Sequence, residues 1–107
     1  MQIEYLREFV ELLNCLNFSK AAKKLYISQP ALSNHIAELE NELGATLVTR
    51  EKPIQPTVAG INFYNDACKI LQVYDRARSK VRELSTEKEQ TIVVKMPYGG
   101  SDSKKAF

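Results

Sequence analysis

The feature that most constrains this chain is a six-residue run, SQPALS from Ser28 to Ser33, set seven residues after the start of an Ala21-Ala22 pair. Ser28 is suited to cap a helix, because its hydroxyl can accept from the free amides of the first turn, and Pro30 stands where its missing N–H is not needed. These residues predict a helix from Gln29 to Leu43, with Gly44 as its C-cap. Leu32, Ile36, Leu39 and Leu43 recur at spacings of three and four and make one inward stripe. Gln29, Ala31, Ser33, Asn34 and Glu38 fall outside it.

Upstream, Ser19 can cap a shorter helix carrying Ala21, Ala22 and Leu25, and Tyr26-Ile27-Ser28 leaves room only for a sharp corner. Small Ala22 lets two helices cross closely, with Leu25, Ile27 and Leu32 plugging the corner. Two capped helices joined this way form a helix-turn-helix, whose second helix enters the major groove of double-stranded DNA with its N-terminal residues at base edges. The candidate base readers are Gln29, Ser33 and Asn34, which can exchange hydrogen bonds with bases, and Pro30 or Ala31, which can touch a thymine methyl. His35 is a weaker candidate. It has no cysteine or serine partner at a suggestive spacing, so acid-base catalysis is not expected of it.

Several segments together, NFSKAAKKL (17–25), SQPALS (28–33), ELENELG (38–44) and TVAG (57–60), resemble the N-terminal DNA-binding part of LysR-type transcriptional regulators. The resemblance runs from about Ile3 to about Leu84. It implies a mainly α fold: a winged helix-turn-helix followed by a long linker helix that pairs two subunits. It also implies major-groove reading by the second helix, a wing over the minor groove, and phosphate contact at the start of the linker helix. On that basis Ser19, Lys20, Lys24, Ser28, Arg50, Lys52 and Thr57 are expected to meet the DNA backbone or carry the wing. The chain departs from the family pattern at Asn34, where arginine is very common, and at Val48, where phenylalanine is usual. Its wing loop, Glu51 to Pro56, is about one residue short.

A chain of 107 residues with 44% hydrophobic composition holds one compact domain plus an extended element. Family members generally carry a ligand-sensing domain after the linker helix. None is expected here, so the chain reads as a truncated piece or a naturally short regulator, with no small-molecule inducer site. The net charge of +2 would not by itself flag a nucleic-acid partner. Its distribution says more: from Asn17 to Ala37 the formal charges are Lys20, Lys23 and Lys24, while Glu38, Glu40 and Glu42 gather farther along the second helix. Lysines beside the reading end can meet phosphates, and the acidic end must point away. Without the motif, the same lysines would read as a solvated face.

Cys15 and Cys68 lie far apart with no His or Cys at metal-ligand spacing, so neither metal nor cofactor is expected. Reduced thiols in a cytoplasmic protein are the simpler reading, and a redox switch the lesser one. Met1 leads into charged amphipathic sequence, and no apolar run approaches the roughly 20 residues needed to span a membrane. No glycine-rich phosphate loop is present, so an enzyme is not expected.

The first helix, about Ile3 to Cys15, places Ile3, Leu6, Phe9, Val10 and Leu13 on one face, and Leu16 and Phe18 are expected to close that core. Tyr5 and Leu12 fall off the stripe, toward a partner or partial exposure. Leu47 to Thr49 and Ile54 to Gln55 suit two short wing strands, limited by Pro53 and Pro56. Thr57 caps a run unbroken to about Leu84, roughly 42 Å of helix. Ile61, Tyr64, Ala67, Cys68, Leu71, Tyr74, Val81 and Leu84 give it an approximate a/d seam. A second copy of the chain is the expected partner for that seam, making a homodimer, with higher oligomers open to a full-length form. The alternative is packing against the chain's own first helix. Arg76, Arg78, Lys80 and Arg82 suit solvation or interchain ion pairing as readily as DNA. The expected divisions are 1–57 for the winged helix-turn-helix, 58–85 for the dimerisation helix, and 86–107 for a hinge, a short strand over Thr91 to Met96 and a disordered tail.

Two functions follow. The first is a sequence-specific DNA-binding transcriptional regulator acting as a dimer. The second is an interaction protein that captures full-length relatives into mixed dimers through its long helix.

Overall fold

A computed structural model describes residues 1–87, which form four α-helices: α1 (Ile3–Cys15), α2 (Phe18–Leu25), α3 (Gln29–Leu43) and α4 (Val58–Glu87). The strand expected over Thr91 to Met96 and the tail beyond it lie outside the described residues. One compact unit covers Met1–Ala77, and a second begins at Arg78.

The corners are set by backbone chemistry. Tyr26 takes a left-handed conformation (φ 59°) after α2, its amide donating to the Lys23 carbonyl while Ile27 N donates to Ala22 O at 3.1 Å. This is the Schellman closure, which satisfies two orphan carbonyls and turns the chain sharply. Gly44 (φ 71°) ends α3 in the same way, with Ala45 N donating to Glu40 O. At Tyr26 and at Leu16 (φ 52°) the left-handed region is held by residues that rarely adopt it, so local strain accompanies both corners.

Phe9, Leu12, Leu32, Ile36, Leu39, Leu47 and Val48 are fully enclosed, joined by Leu6, Ala21, Ala22, Ala67 and Leu71. Each enclosed large side chain contributes about 1.5–3 kcal/mol of burial. Leu12 is a correction to the expected stripe. Helix α1 is covered by α4 as well as by α2 and α3, with Phe9 and Phe63 rings 5.4 Å apart and Tyr64 Oη donating to Asn14 Oδ1 at 2.7 Å. Its buried face is therefore wider than one stripe. Leu16 and Leu43, at helix ends where the neighbours stop, are instead exposed.

The wing is smaller than two strands. Val48 and Pro56 form a single antiparallel bridge, with Thr49 N donating to Gln55 O at 2.9 Å and Thr57 N to Leu47 O at 3.0 Å. The prolines at 53 and 56 remove the donors that a longer ladder would need.

Helix α4 corrects the expected seam. Leu71 and Ala67 belong to the chain's own core, Tyr64 is hydrogen-bonded to α1, and Cys68 is half-buried. Farther along, Arg7 donates to both Asp75 carboxylate oxygens, at 3.2 and 2.5 Å, and sits 5.9 Å from the Tyr74 ring centroid. The helix also runs on to Glu87, through the first residues expected to form a hinge. Among the described residues no helix is long and apolar enough to cross a membrane, and no group of His, Cys, Asp or Glu is arranged to hold a metal ion.

Candidate nucleic-acid interface

The N-terminal turns of α2 and α3 and the wing surround an open cleft of about 730 Å³. Ser19, Gln29, Ser33, Arg50 and Lys52, five of the residues singled out in the sequence, line it, together with Asn17 and Phe18. Segments distant in the chain converge here because α2 and α3 cross at the Ala21-Ala22 corner and the wing folds back over Phe18.

Capping decides which side chains remain available. Asn17, not Ser19, caps α2, its Oδ1 accepting from Lys20 N at 2.9 Å. Ser19 thus sits inside the first turn and donates its Oγ–H to Gln29 Oε1 at 3.1 Å. A serine has one hydroxyl proton and a phosphate can only accept, so this bond removes Ser19 from the expected phosphate donors. The same reasoning applies to Thr57. Its hydroxyl donates to Thr46 O at 2.6 Å and accepts from Gly60 N at 2.9 Å, which makes it the cap of α4 and takes up its proton. Ser28 differs, since its Oγ only accepts, from Ala31 N at 3.1 Å, and its own proton remains to be donated.

Gln29, Pro30 and Asn34 are exposed on the N-terminal half of α3, and Ser33 is half-buried beside them. His35 is not with them. Its Nδ1 lies 2.7 Å from the buried carboxylate of Glu8, and its ring stacks on Tyr5 with centroids 4.4 Å apart and planes 15° from parallel. A helix advances about 100° per residue, so His35 points roughly opposite to Ser33, toward α1. His35 is therefore corrected from a base-reading candidate to a packing contact. Burial, then the Glu38 and Glu8 carboxylates, push the Tyr5 phenol above its ordinary value and keep it neutral.

Two positions had no sequence signal for their role. Glu40, on α3, accepts from Leu47 N at 2.7 Å and Val48 N at 3.2 Å and pairs with Arg50 Nη2 at 3.2 Å. It fastens the wing to α3. Arg50 also donates to Val48 O at 3.3 Å and lies 5.4 Å from the Phe18 ring centroid. Its guanidinium is thus first a wing clamp. The partners of Glu40 lie seven to ten residues along the chain, beyond any local periodicity.

Lys20 and Lys24 lie outside the cleft, with Lys23, Asn14 and Cys15 around a shallower hollow of about 430 Å³. Lys24 Nζ is 3.5 Å from Glu11 Oε2. Burial and a hydrogen bond to Glu11 push the Cys15 thiol up, against reactivity. Of the acids of α3, Glu40 is drawn to Arg50 and Glu42 to the terminal ammonium at 3.2 Å, while Glu38 is exposed.

Residues 3–61 match the family described as bacterial regulatory helix-turn-helix protein, lysR family. The chain is 47% identical over 73 residues to the HTH-type transcriptional regulator CatR of Pseudomonas putida, covering 68% of this chain and 25% of that protein. It is 39% identical over 98 residues to the Hca operon transcriptional activator HcaR of Escherichia coli K12, covering 91% of this chain and 33% of that one. The chain therefore spans about a quarter to a third of the length of these relatives. Its fold is similar to that of the BenM DNA-binding domain in a crystal structure with catB site 1 DNA, with a TM-score of 0.76, 39% identity, and coverage of 81% of this chain and 95% of that one.

Proposed function

The chain belongs to the lysR family of bacterial regulatory helix-turn-helix proteins, and on that premise we propose that it is the DNA-reading part of a dimeric transcriptional regulator. In this reading the N-terminal half of α3 enters the major groove, Gln29, Pro30, Ser33 and Asn34 face base edges, and the wing follows the adjacent backbone. Lys20, Lys24 and Lys52 meet phosphates, Ser28 donates its free hydroxyl proton to one, and Arg50 holds the wing in place while turning part of its guanidinium to the cleft. The protein is a binding module rather than an enzyme, and it works in the cytoplasm, where bacterial DNA lies.

The observation that carries this reading is the cleft itself. It gathers Gln29 and Ser33 with Arg50 and Lys52 on one open surface, while Glu40 is paired with Arg50 and Glu42 with the terminal ammonium. The likeness to a domain crystallised with DNA supports it.

Dimerisation belongs to α4. Tyr64, Cys68 and Leu71 face the chain's own core or its edge, so the pairing surface rests on the exposed apolar residues: Ile61, Ile70 and Val73 in the first unit, Val81 and Leu84 in the second. Tyr74 borders it beside Arg7.

Selection of genomic fragments by the purified protein at near-physiological salt tests the reading, with a Gln29→Ala, Ser33→Ala, Asn34→Ala triple variant as control. The expected result is a two-fold-symmetric motif that the control loses. Fragments retained equally by both proteins, without a motif, would refute sequence-specific reading by α3.

A further inference from the structure

The hydrogen bond from Ser19 Oγ to Gln29 Oε1, 3.1 Å long, joins the first turn of α2 to the first residue of α3 inside the cleft. A glutamine carboxamide presents an acceptor at one end and two N–H donors at the other, and a 180° rotation of the amide exchanges them. The hydrogen bond to Ser19 holds the amide in one of these orders. The Ser19 hydroxyl donates to Oε1, so in the structure the oxygen end of Gln29 faces α2 and the nitrogen end faces away. One lone pair of Oε1 is engaged by Ser19, and the other stays open beside the two N–H groups.

We propose that Ser19 is a specificity-positioning residue: by setting the donor–acceptor order of the Gln29 carboxamide, it makes Gln29 distinguish A·T from T·A at the base pair it faces. This rests on the reading of α3 as the major-groove helix. Bidentate pairing with adenine requires Oε1 to accept from N6–H while Nε2 donates to N7. A carboxamide held in one order meets that pattern with the adenine on one strand only. A carboxamide free to flip meets it in both orders and loses the distinction. Ser19 itself touches no base, and its proton is not available to a phosphate.

The test is selection from randomised duplexes by the whole chain, by Ser19→Ala, by Ser19→Thr and Ser19→Val as a matched pair with and without the hydroxyl, and by Gln29→Ala with and without Ser19→Ala. Ser19→Ala and Ser19→Val are expected to lower the A·T over T·A preference at one base pair by about tenfold. All other positions should stay unchanged, and Ser19→Thr should restore the preference. In the Gln29→Ala background, removing the hydroxyl should have no further effect, because the two residues then act as one unit. An unchanged preference in Ser19→Ala overturns the proposal. So does a uniform loss on all sequences that persists without Gln29, which would mark Ser19 as a phosphate contact. If the unaltered chain selects no motif, the major-groove reading itself fails, an outcome distinct from either. Equal melting temperatures for the Thr and Val variants separate loss of the hydroxyl from loss of fold.

Discussion

At the scale of single residues, Gly60 is the position where the backbone tolerates least. A Cβ built there would lie 2.0 Å from the Leu47 carbonyl oxygen, 3.0 Å from its carbonyl carbon and 3.3 Å from its Cα. The first turn of α4 therefore touches the wing backbone directly, and the same Leu47 carbonyl accepts from Thr57 N. Helix propensity alone favours alanine over glycine by about 1 kcal/mol, so the sign of the change is informative. Gly60→Ala is expected to destabilise the chain by at least about 1–3 kcal/mol, the range for forced overpacking, as read by urea unfolding. A neutral or stabilising result would show that the wing moves freely away from α4. Gly44→Ala makes a useful contrast, since no atom lies within 4 Å of its Cβ. Its cost is limited to the positive φ, about 1–2 kcal/mol.

At the scale of elements, the wing is a hairpin with one bridge, too small to hold itself in place. Its position comes from Glu40, which satisfies two wing amides and pairs with Arg50. Leu47 and Val48 are buried, so removing this acceptor leaves their amides unpaired away from water, at about 1–3 kcal/mol for each such group. Glu40→Ala is expected to lower stability by several times the effect of Glu40→Gln, which keeps one carbonyl acceptor and loses only the charge. Equal effects from the two variants, measured by thermal unfolding, would show that the Arg50 ion pair rather than the amides fastens the wing. The run ELENELG was legible as one end of α3, but Glu40's task was not. Capping and periodicity are local, whereas this carboxylate acts on residues seven to ten positions away after the chain has turned at Gly44.

At the scale of the molecule, the apolar residues of α4 fall into two groups. Ala67 and Leu71 complete the core of the chain that carries them, while Ile70 and Val73 remain 44% and 55% exposed. Ile70 and Val73 stand three apart in the first unit, as Val81 and Leu84 do in the second, a spacing suited to pairing with another helix. Ile70→Glu with Val73→Glu is expected to convert a dimer to a monomer in sedimentation equilibrium while the helical circular dichroism of the reader is retained. A dimer that persists at the same concentration would move the interface elsewhere. Leu71→Glu should instead unfold the reader, because its side chain is enclosed by its own chain.

Sequence by itself determined which four helices form and in what order. Ser28 with Pro30 opens α3, Gly44 closes it, Thr57 opens α4, and the apolar stripes mark which helices share a core, all through contacts spanning four residues or fewer. Only the tertiary structure decided which neighbour each face meets. It turned His35 to Glu8 and Tyr5, gave α2 its cap from Asn17 so that Ser19 could reach Gln29, and drew Ala67 and Leu71 of the apparent pairing seam into the chain's own core. Caps and periods are properties of a chain segment, whereas the partner of a side chain depends on how segments distant in sequence are brought together. That arrangement is settled only when the whole domain packs.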